Sequence, residues 1–192
     1  MERIKSFEEG GAVVGDILTR GKTKRNIKIG VLTCGYFEYW RMFPGMLENV
    51  TSDFKAFGEN FSRRYPNAVF SGMVDTLDSA DEAGRRLKEA GVDAVLLVYG
   101  TYVADFITLT ALDYVKELPL VIFSMQNHES IDVGGNYEDS LRNSSVIGIS
   151  QLTGTLRKLE RDYKIIVGSI HDERAYRKMD VLFKALQVVE DL

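Results

Sequence analysis

VDAVLLVYGTYVADFITLTALDYVKELPLVIFSM, residues 92–125, carries two continuous apolar runs, Ala94 to Tyr99 and Leu120 to Met125, joined by a segment of helical periodicity. Neither run alternates apolar with polar residues, so each reads as a strand covered on both faces. Between them Val103, Phe106, Ile107, Thr110, Tyr114 and Leu118 fall on one helical face. Pro119 closes that helix, because it lacks the backbone donor and its ring crowds the preceding turn. A strand, a crossover helix and a second strand in that order make a parallel pair.

The same rhythm runs through the rest of the chain. Ile27 to Cys34, Ala68 to Val74 and Ile165 to Ile170 are further apolar runs, each followed or preceded by a helical pattern. Pro44 suits an early helical position, and Met46, Val50, Phe54, Phe57 and Phe61 then recur at helical spacing until Tyr65 and Pro66. Ser79 with Glu82 has the capping-box pattern, and Gly91 stops the helix it opens. Residues 137–160 form a longer helical segment that Gly148 and Gly154 should interrupt, and Asp172 can cap a last helix ending near Leu192. Gly134-Gly135-Asn136 is the most loop-like interior stretch. The pattern predicts an α/β fold: a three-layer, flavodoxin-like or Rossmann-like domain with a five-stranded parallel sheet in the order 2-1-3-4-5. Residues 27–192 make up that domain, and residues 1–26 an amino-terminal extension.

With 192 residues the chain can enclose a core without disulfides or metals, and its single cysteine, Cys34, excludes an internal disulfide. No apolar run approaches the roughly 20 residues that span a bilayer, and MERIKSFEEGGAVVGDIL lacks the apolar stretch of a secretory signal, so the expected compartment is the cytoplasm. A net charge of −4 gives no global attraction to nucleic acid. The local basic stretch Arg20, Lys22, Lys24, Arg25 and Lys28 has no interleaved aromatic ring to stack on bases, and reads as a solvated approach to the first strand.

Ligands of open α/β sheets lie outside the carboxyl ends of the strands. Those ends carry Cys34-Gly35-Tyr36-Phe37-Glu38-Tyr39-Trp40-Arg41, Tyr99-Gly100-Thr101-Tyr102, Gln126-Asn127-His128-Glu129 and His171-Asp172. Rings and imidazoles beside neutral hydrogen-bonding groups suit a sugar, with its apolar faces and many hydroxyls. Tyr36, Trp40, Tyr102, Gln126, His128 and His171 are therefore the candidate substrate-binding residues. Tyr36 and Trp40 equally suit packing against another domain or subunit, and His171 equally suits a position flanking the Asp172 cap. Neither G-x-G-x-x-G nor G-x-x-x-x-G-K-[ST] occurs, which disfavours dinucleotides and nucleoside triphosphates. No G-x-S-x-G elbow occurs either. Cys34 at a strand end could serve as a nucleophile beside a histidine, but a lone buried thiol reads first as packing.

At these same residues the chain resembles the L-fucose isomerase and L-arabinose isomerase-like family. IGVLTCGYFEYWRMFPG, residues 29–45, is similar to that family's opening strand and loop, and residues 92–119 to its third strand, substrate-side loop and helix. LPLVIFSMQNHESID resembles the next strand, where arabinose isomerases place a glutamine near Gln126. LRNSSVIGISQLTGTLRKLERDYKIIVGSIHDERAYRKM resembles the segment with an Asn-x-Ser element, here Asn143-Ser144-Ser145, and a strand end running from Val167 to Asp172. The resemblance covers nearly the whole chain after residue 27. It departs at Tyr99-Gly100-Thr101, where arabinose isomerases show His-Thr-Phe, and near Ser124, where they place a histidine, so the sugar stays open.

The resemblance implies a metal-dependent aldose–ketose isomerase, usually with Mn2+, whose carboxylate and histidine ligands belong to later domains. This chain would be the substrate-side amino-terminal domain: no catalytic residue, no metal ligand and no cofactor of its own, and no catalysis alone. It would act with catalytic domains of the same or a neighbouring subunit, in a homo-oligomer, without nucleic acid or membrane. The alternative is a stand-alone sugar-binding or regulatory module. A flavodoxin-like redox protein is disfavoured by the bulky first loop, which suits a flavin phosphate poorly.

Overall fold

A computed structural model of the protein describes residues 26–127, 136–143 and 145–191. The expected amino-terminal extension up to residue 25, with Arg20, Lys22, Lys24 and Arg25, lies outside them, as do His128 and Gly134-Gly135. In chain order the elements are β1 (Ile29–Cys34), α1 (Phe37–Met42), α2 (Met46–Arg64), β2 (Val69–Val74), α3 (Leu77–Ala90), β3 (Ala94–Tyr99), α4 (Asp105–Asp113), β4 (Leu120–Gln126), α5 (Tyr137–Arg142), α6 (Ser145–Lys158), β5 (Lys164–Ser169) and α7 (Glu173–Asp191).

Every strand pair is parallel, and the order is β2-β1-β3-β4-β5. Successive side chains of a strand point to opposite faces. Leu32, Leu97 and Ile122 therefore face α3, α4 and α6, in a core with Leu87, Ile107 and Leu152. Val31, Leu96, Val98 and Phe123 face α2 and α7, in a core with Phe57, Phe61, Met179 and Phe183. Leu32, Leu97, Ile122 and Ile166 are 1%, 0%, 0% and 3% exposed, as expected for strands enclosed by helices. The α/β class and the strand order agree with the sequence pattern.

Four details depart from it. The box that opens α3 is Thr76 with Ser79, not Ser79 with Glu82: the N–H of Ser79 donates to Oγ1 of Thr76, and the N–H of Thr76 donates to Oγ of Ser79. Pro44 lies ahead of α2, whose N-cap is Gly45 at φ 90°. In α4 the buried residues are Ile107, Thr108, Ala111 and Leu112, while Phe106 is 56% exposed, and the helix ends before Tyr114 and Leu118. Residues 137–160 do divide, but at Asn143. Gly148 lies inside α6, where it lets the helix approach β3: a Cβ there would stand 3.0 Å from the ring of Tyr99 and 3.3 Å from the backbone N of Val103.

Other expectations agree closely. Met46, Val50, Phe54, Phe57 and Phe61 are the buried stripe of α2, and Gly91 ends α3 at φ 60°. Asp172 caps α7, its Oδ1 accepting the N–H of Arg174 at 2.9 Å. Covering is incomplete at both edges of the sheet, along β2, where five of six residues are not fully buried, and at β5, where Ile165 and Val167 are 46% and 51% exposed. They sit in register with Ile122 and Ser124, so their open face is the one on which α6 packs against β4.

Candidate functional site

The loop after β1 folds into α1, a helix without a buried residue. Its rings are partly buried against the two cores and also pack on one another. Tyr36 lies edge-on to Phe37, Tyr39 and Tyr102, with centroids 5.4, 5.3 and 5.3 Å apart. The series continues from Tyr39 to Phe43 at 5.9 Å and from Phe43 to Tyr137 at 5.8 Å. Edge-to-face pairs are favourable beyond their burial, so the rings hold one another in place. Tyr102 is anchored further: its hydroxyl donates to Oε1 of Gln151 at 3.1 Å, and Nε2 of Gln151 donates to Oδ1 of Asp105 at 3.3 Å. Thr155 donates to the other oxygen of Asp105 at 2.7 Å. Burial pushes the Tyr39 and Tyr102 phenols above the ordinary tyrosine range, so both stay neutral hydrogen-bonding groups.

Trp40 is turned towards the end of β2. Its indole N–H donates to Oδ2 of Asp75 at 2.9 Å. The ring lies against Gly35, where a Cβ would come within 2.7 Å of it. Cys34, beneath this loop, is fully buried, and burial, with the Asp75 carboxylate adding to it, pushes its thiol far up. The thiolate needed by a nucleophile is thus suppressed.

The ends of β4 and β5 bring together neutral polar groups. Gln126 pairs in register with Ser169, and the N–H of Ile170 donates to the carbonyl of Gln126 at 3.3 Å. The backbone N–H of Asn127 donates to Oδ1 of Asn143 at 3.0 Å. Hydroxyls of Ser124 and Ser145 lie 2.9 Å apart, joining β4 to the first residue of α6. His171 is placed elsewhere, in a cleft of about 330 Å³ with Asn60, Arg63, Arg64, Glu173 and Tyr176.

The structure therefore joins Tyr36 to Tyr102, sets Gln126 at the end of β4, and places Trp40 and His171 against other partners. His128 lies outside the described residues. Sequence reasoning passed over Asn127, Asn143, Ser145 and Ser169. Asn127 stood in a quoted strand-end loop, and Asn143 with Ser145 in the Asn-x-Ser element, but nothing in the sequence marks Ser169. Among the described residues no group of three or more His, Cys, Asp or Glu stands together to hold a metal ion, and no helix is long and apolar enough to cross a membrane.

No protein-family model matches the chain, and no curated protein matches it. Among solved structures it is similar to the lac repressor dimer bound to operator and the anti-inducer ONPF, at 11% identity and a TM-score of 0.35, over 91% of this chain and 57% of that one. It is also similar to the lac repressor bound to ONPG in the repressed state, at 12% identity and a TM-score of 0.34, over 82% and 51%. The chain thus spans only 57% and 51% of these structures' own chains. At such values the likeness does not bear on what this chain binds.

Proposed function

We propose that this chain is the substrate-facing domain of a sugar ketol isomerase of the L-fucose/L-arabinose type, which binds and orients the sugar while the proton transfer is carried by other domains. The observation that carries this reading is the Tyr36–Tyr102 pair on a sheet whose neighbouring strand ends, at β4 and β5, offer uncharged amides and hydroxyls. An aromatic face covers the apolar face of a sugar ring, and amides and hydroxyls exchange hydrogen bonds with its hydroxyls. Gln126 ends β4, and the resemblance implies a glutamine near this position. Phenols, amides and hydroxyls are the wrong donor set for a manganese centre, which takes carboxylates and imidazoles. No step of the isomerisation is therefore assigned to this chain's described residues.

The aromatic series favours a second role for the same rim. It runs on to Tyr137, 70% exposed, beside a helix whose Met42 is 63% exposed, and so suits a surface that packs against catalytic domains of the same or a neighbouring subunit. A stand-alone sugar-binding or regulatory module would use the rim for sugar alone.

Titration with L-fucose and L-arabinose, followed by NMR, tests the proposal. Shifts should be confined to Tyr36, Tyr102 and Gln126, with a dissociation constant of roughly millimolar, since about 4 kcal/mol is what a few hydrogen bonds and one ring contact leave after ordering costs. No response at saturating sugar refutes it. The purified chain should form no ketose with or without manganese, and adding the carboxyl-terminal half of a family member should restore isomerisation. Binding without restoration would favour the stand-alone module.

A further inference from the structure

The two edges of the sheet are finished differently. At β2 the pairing with β1 shifts register between Val31 and Thr33, Gly72 turns the strand at φ 94°, and the hydroxyl of Ser71 donates to the carbonyl of Val31. A bulge of this kind bends an edge away from further pairing. At β5 no such device occurs: Lys164 to Ser169 pair with Val121 to Gln126 without a shift. The N–H of Ile170 donates to the carbonyl of Gln126. Backbone groups of successive strand residues point to alternate sides, so those of Ile165, Val167 and Ser169 point away from β4. Among the described residues no strand lies beyond β5. The side chains of Ile165 and Val167 are half exposed along this edge. Val146, also exposed, lies on the flank of α6 turned away from Gln151 and Thr155, which bond Asp105 of α4, and so towards β5. A regular apolar edge with open backbone groups is a template for another strand.

We infer that β5 pairs antiparallel with β5 of a second copy of this chain, about a two-fold axis at Gly168, so that the two sheets join into one across a dimer. The charges flanking the strand select this partner. Asp162 and Lys164 stand at its start, Asp172 and Arg174 beyond its end, acid then base in both places. Asp162 and Arg174 are equally far from Gly168 in sequence, as are Lys164 and Asp172. A two-fold axis there brings Lys164 of each copy beside Asp172 of the other, and Asp162 beside Arg174, so every such contact joins opposite charges. Arg174 also bonds Asp172 within its own chain at 3.3 Å, which links these contacts into one network. An in-register parallel pair would instead set each charge beside its like. Between the charged ends, Ile165 to Ile170 carry no charge. The same axis sets Val167 opposite Ser169, so residues with outward backbone groups meet one another. A two-fold contact uses each β5 edge once and closes at two copies, and the bulged β2 edges end the joined sheet. The inference is independent of what the aromatic rim binds.

Analytical ultracentrifugation of the full chain over a dilution series tests this. Wild type should sediment as a dimer that dissociates on dilution. Ile165→Lys combined with Val167→Lys, both on the open face, should keep the far-UV spectrum and melting temperature and weaken dimerisation by roughly 30-fold or more, because the edge would then bury unpaired charges. Val188→Lys, at an exposed site on α7, should leave dimerisation unchanged. Asp162→Arg and Arg174→Asp, both at exposed positions, should each weaken it roughly three- to tenfold, and the double reversal should restore it, since opposite charges then face each other again. These reversals lie outside the core and decide the matter even if the lysine pair fails to fold. A wild type that stays monomeric at every concentration overturns the inference. A dimer that survives the lysine pair places the contact elsewhere and overturns it too. Charge reversals whose effects add instead of cancelling overturn the antiparallel arrangement.

Discussion

Cys34 ends β1 and Asp172 caps α7, and their surroundings drive their acidities in opposite directions. The Cys34 thiol is buried in the core that holds Leu32, Val74 and Tyr99, and burial opposes its ionisation. Native protein treated with iodoacetamide at pH 8 should stay unmodified by mass spectrometry, and should take up one label once unfolded; labelling of the folded chain at a free-thiol rate would contradict the packing described. Asp172 accepts the N–H of Arg174, and that bond holds its carboxyl below the ordinary carboxylate value. A depressed folded-state pKa contributes stability that is full above the unfolded value, near about pH 4, and is lost as pH falls through the folded one. Asp172→Asn keeps an acceptor at the cap but cannot titrate. It should melt close to wild type at pH 7 and show a shallower loss of melting temperature between pH 5 and pH 2. An identical acid limb in both proteins would show that other carboxylates set it.

Among the elements, strands were easier to read than helix ends. Parallel strands inside three layers are apolar on both faces, so runs such as AVLLVY announce themselves whatever surrounds them. The start of α3 was hidden because Leu77 in its first turn is 51% exposed, while the apolar stripe of Ala80, Ala83 and Leu87 begins later. The pattern Ser79-x-x-Glu82 was then the visible box, one turn too late. Thr76→Ala should lower stability by about 0.5–2 kcal/mol in urea denaturation, and Glu82→Ala by no more than about 0.5 kcal/mol. The reverse order would restore the later cap. Helix α4 is hard to read for another reason: it lies between α3 and α6 and buries Thr108 while leaving Phe106 exposed, so its apolar residues do not mark its buried side. The strand-end rule located the candidate site, but it could not tell that Trp40 reaches for Asp75 or that Ser169 is buried without a bond. Those facts depend on side chains from strands far apart in the chain.

At the scale of the whole molecule, the face closed by α2 and α7 is built on phenylalanine. Phe57 stacks on Phe61 at 5.4 Å and meets Phe123 of β4 at 5.7 Å. Phe57→Ala should cost about 3–5 kcal/mol, while Phe106→Ala on the exposed side of α4 should change stability by no more than about 0.5 kcal/mol. Equal effects, measured by urea denaturation, would mean that the two faces are wrongly assigned. The interior place of β1 has a further consequence, for the order of events at the ribosome. One neighbour of β1 is β3, and the joint that closes this pair, Lys28 with Asp93, spans 65 residues. At synthesis rates of roughly 5–20 residues per second, the nascent chain carries IGVLTC for several seconds before that neighbour exists. During that interval a strand that the finished sheet buries along its whole length stays uncovered and adhesive, and a holding chaperone would have its natural target there.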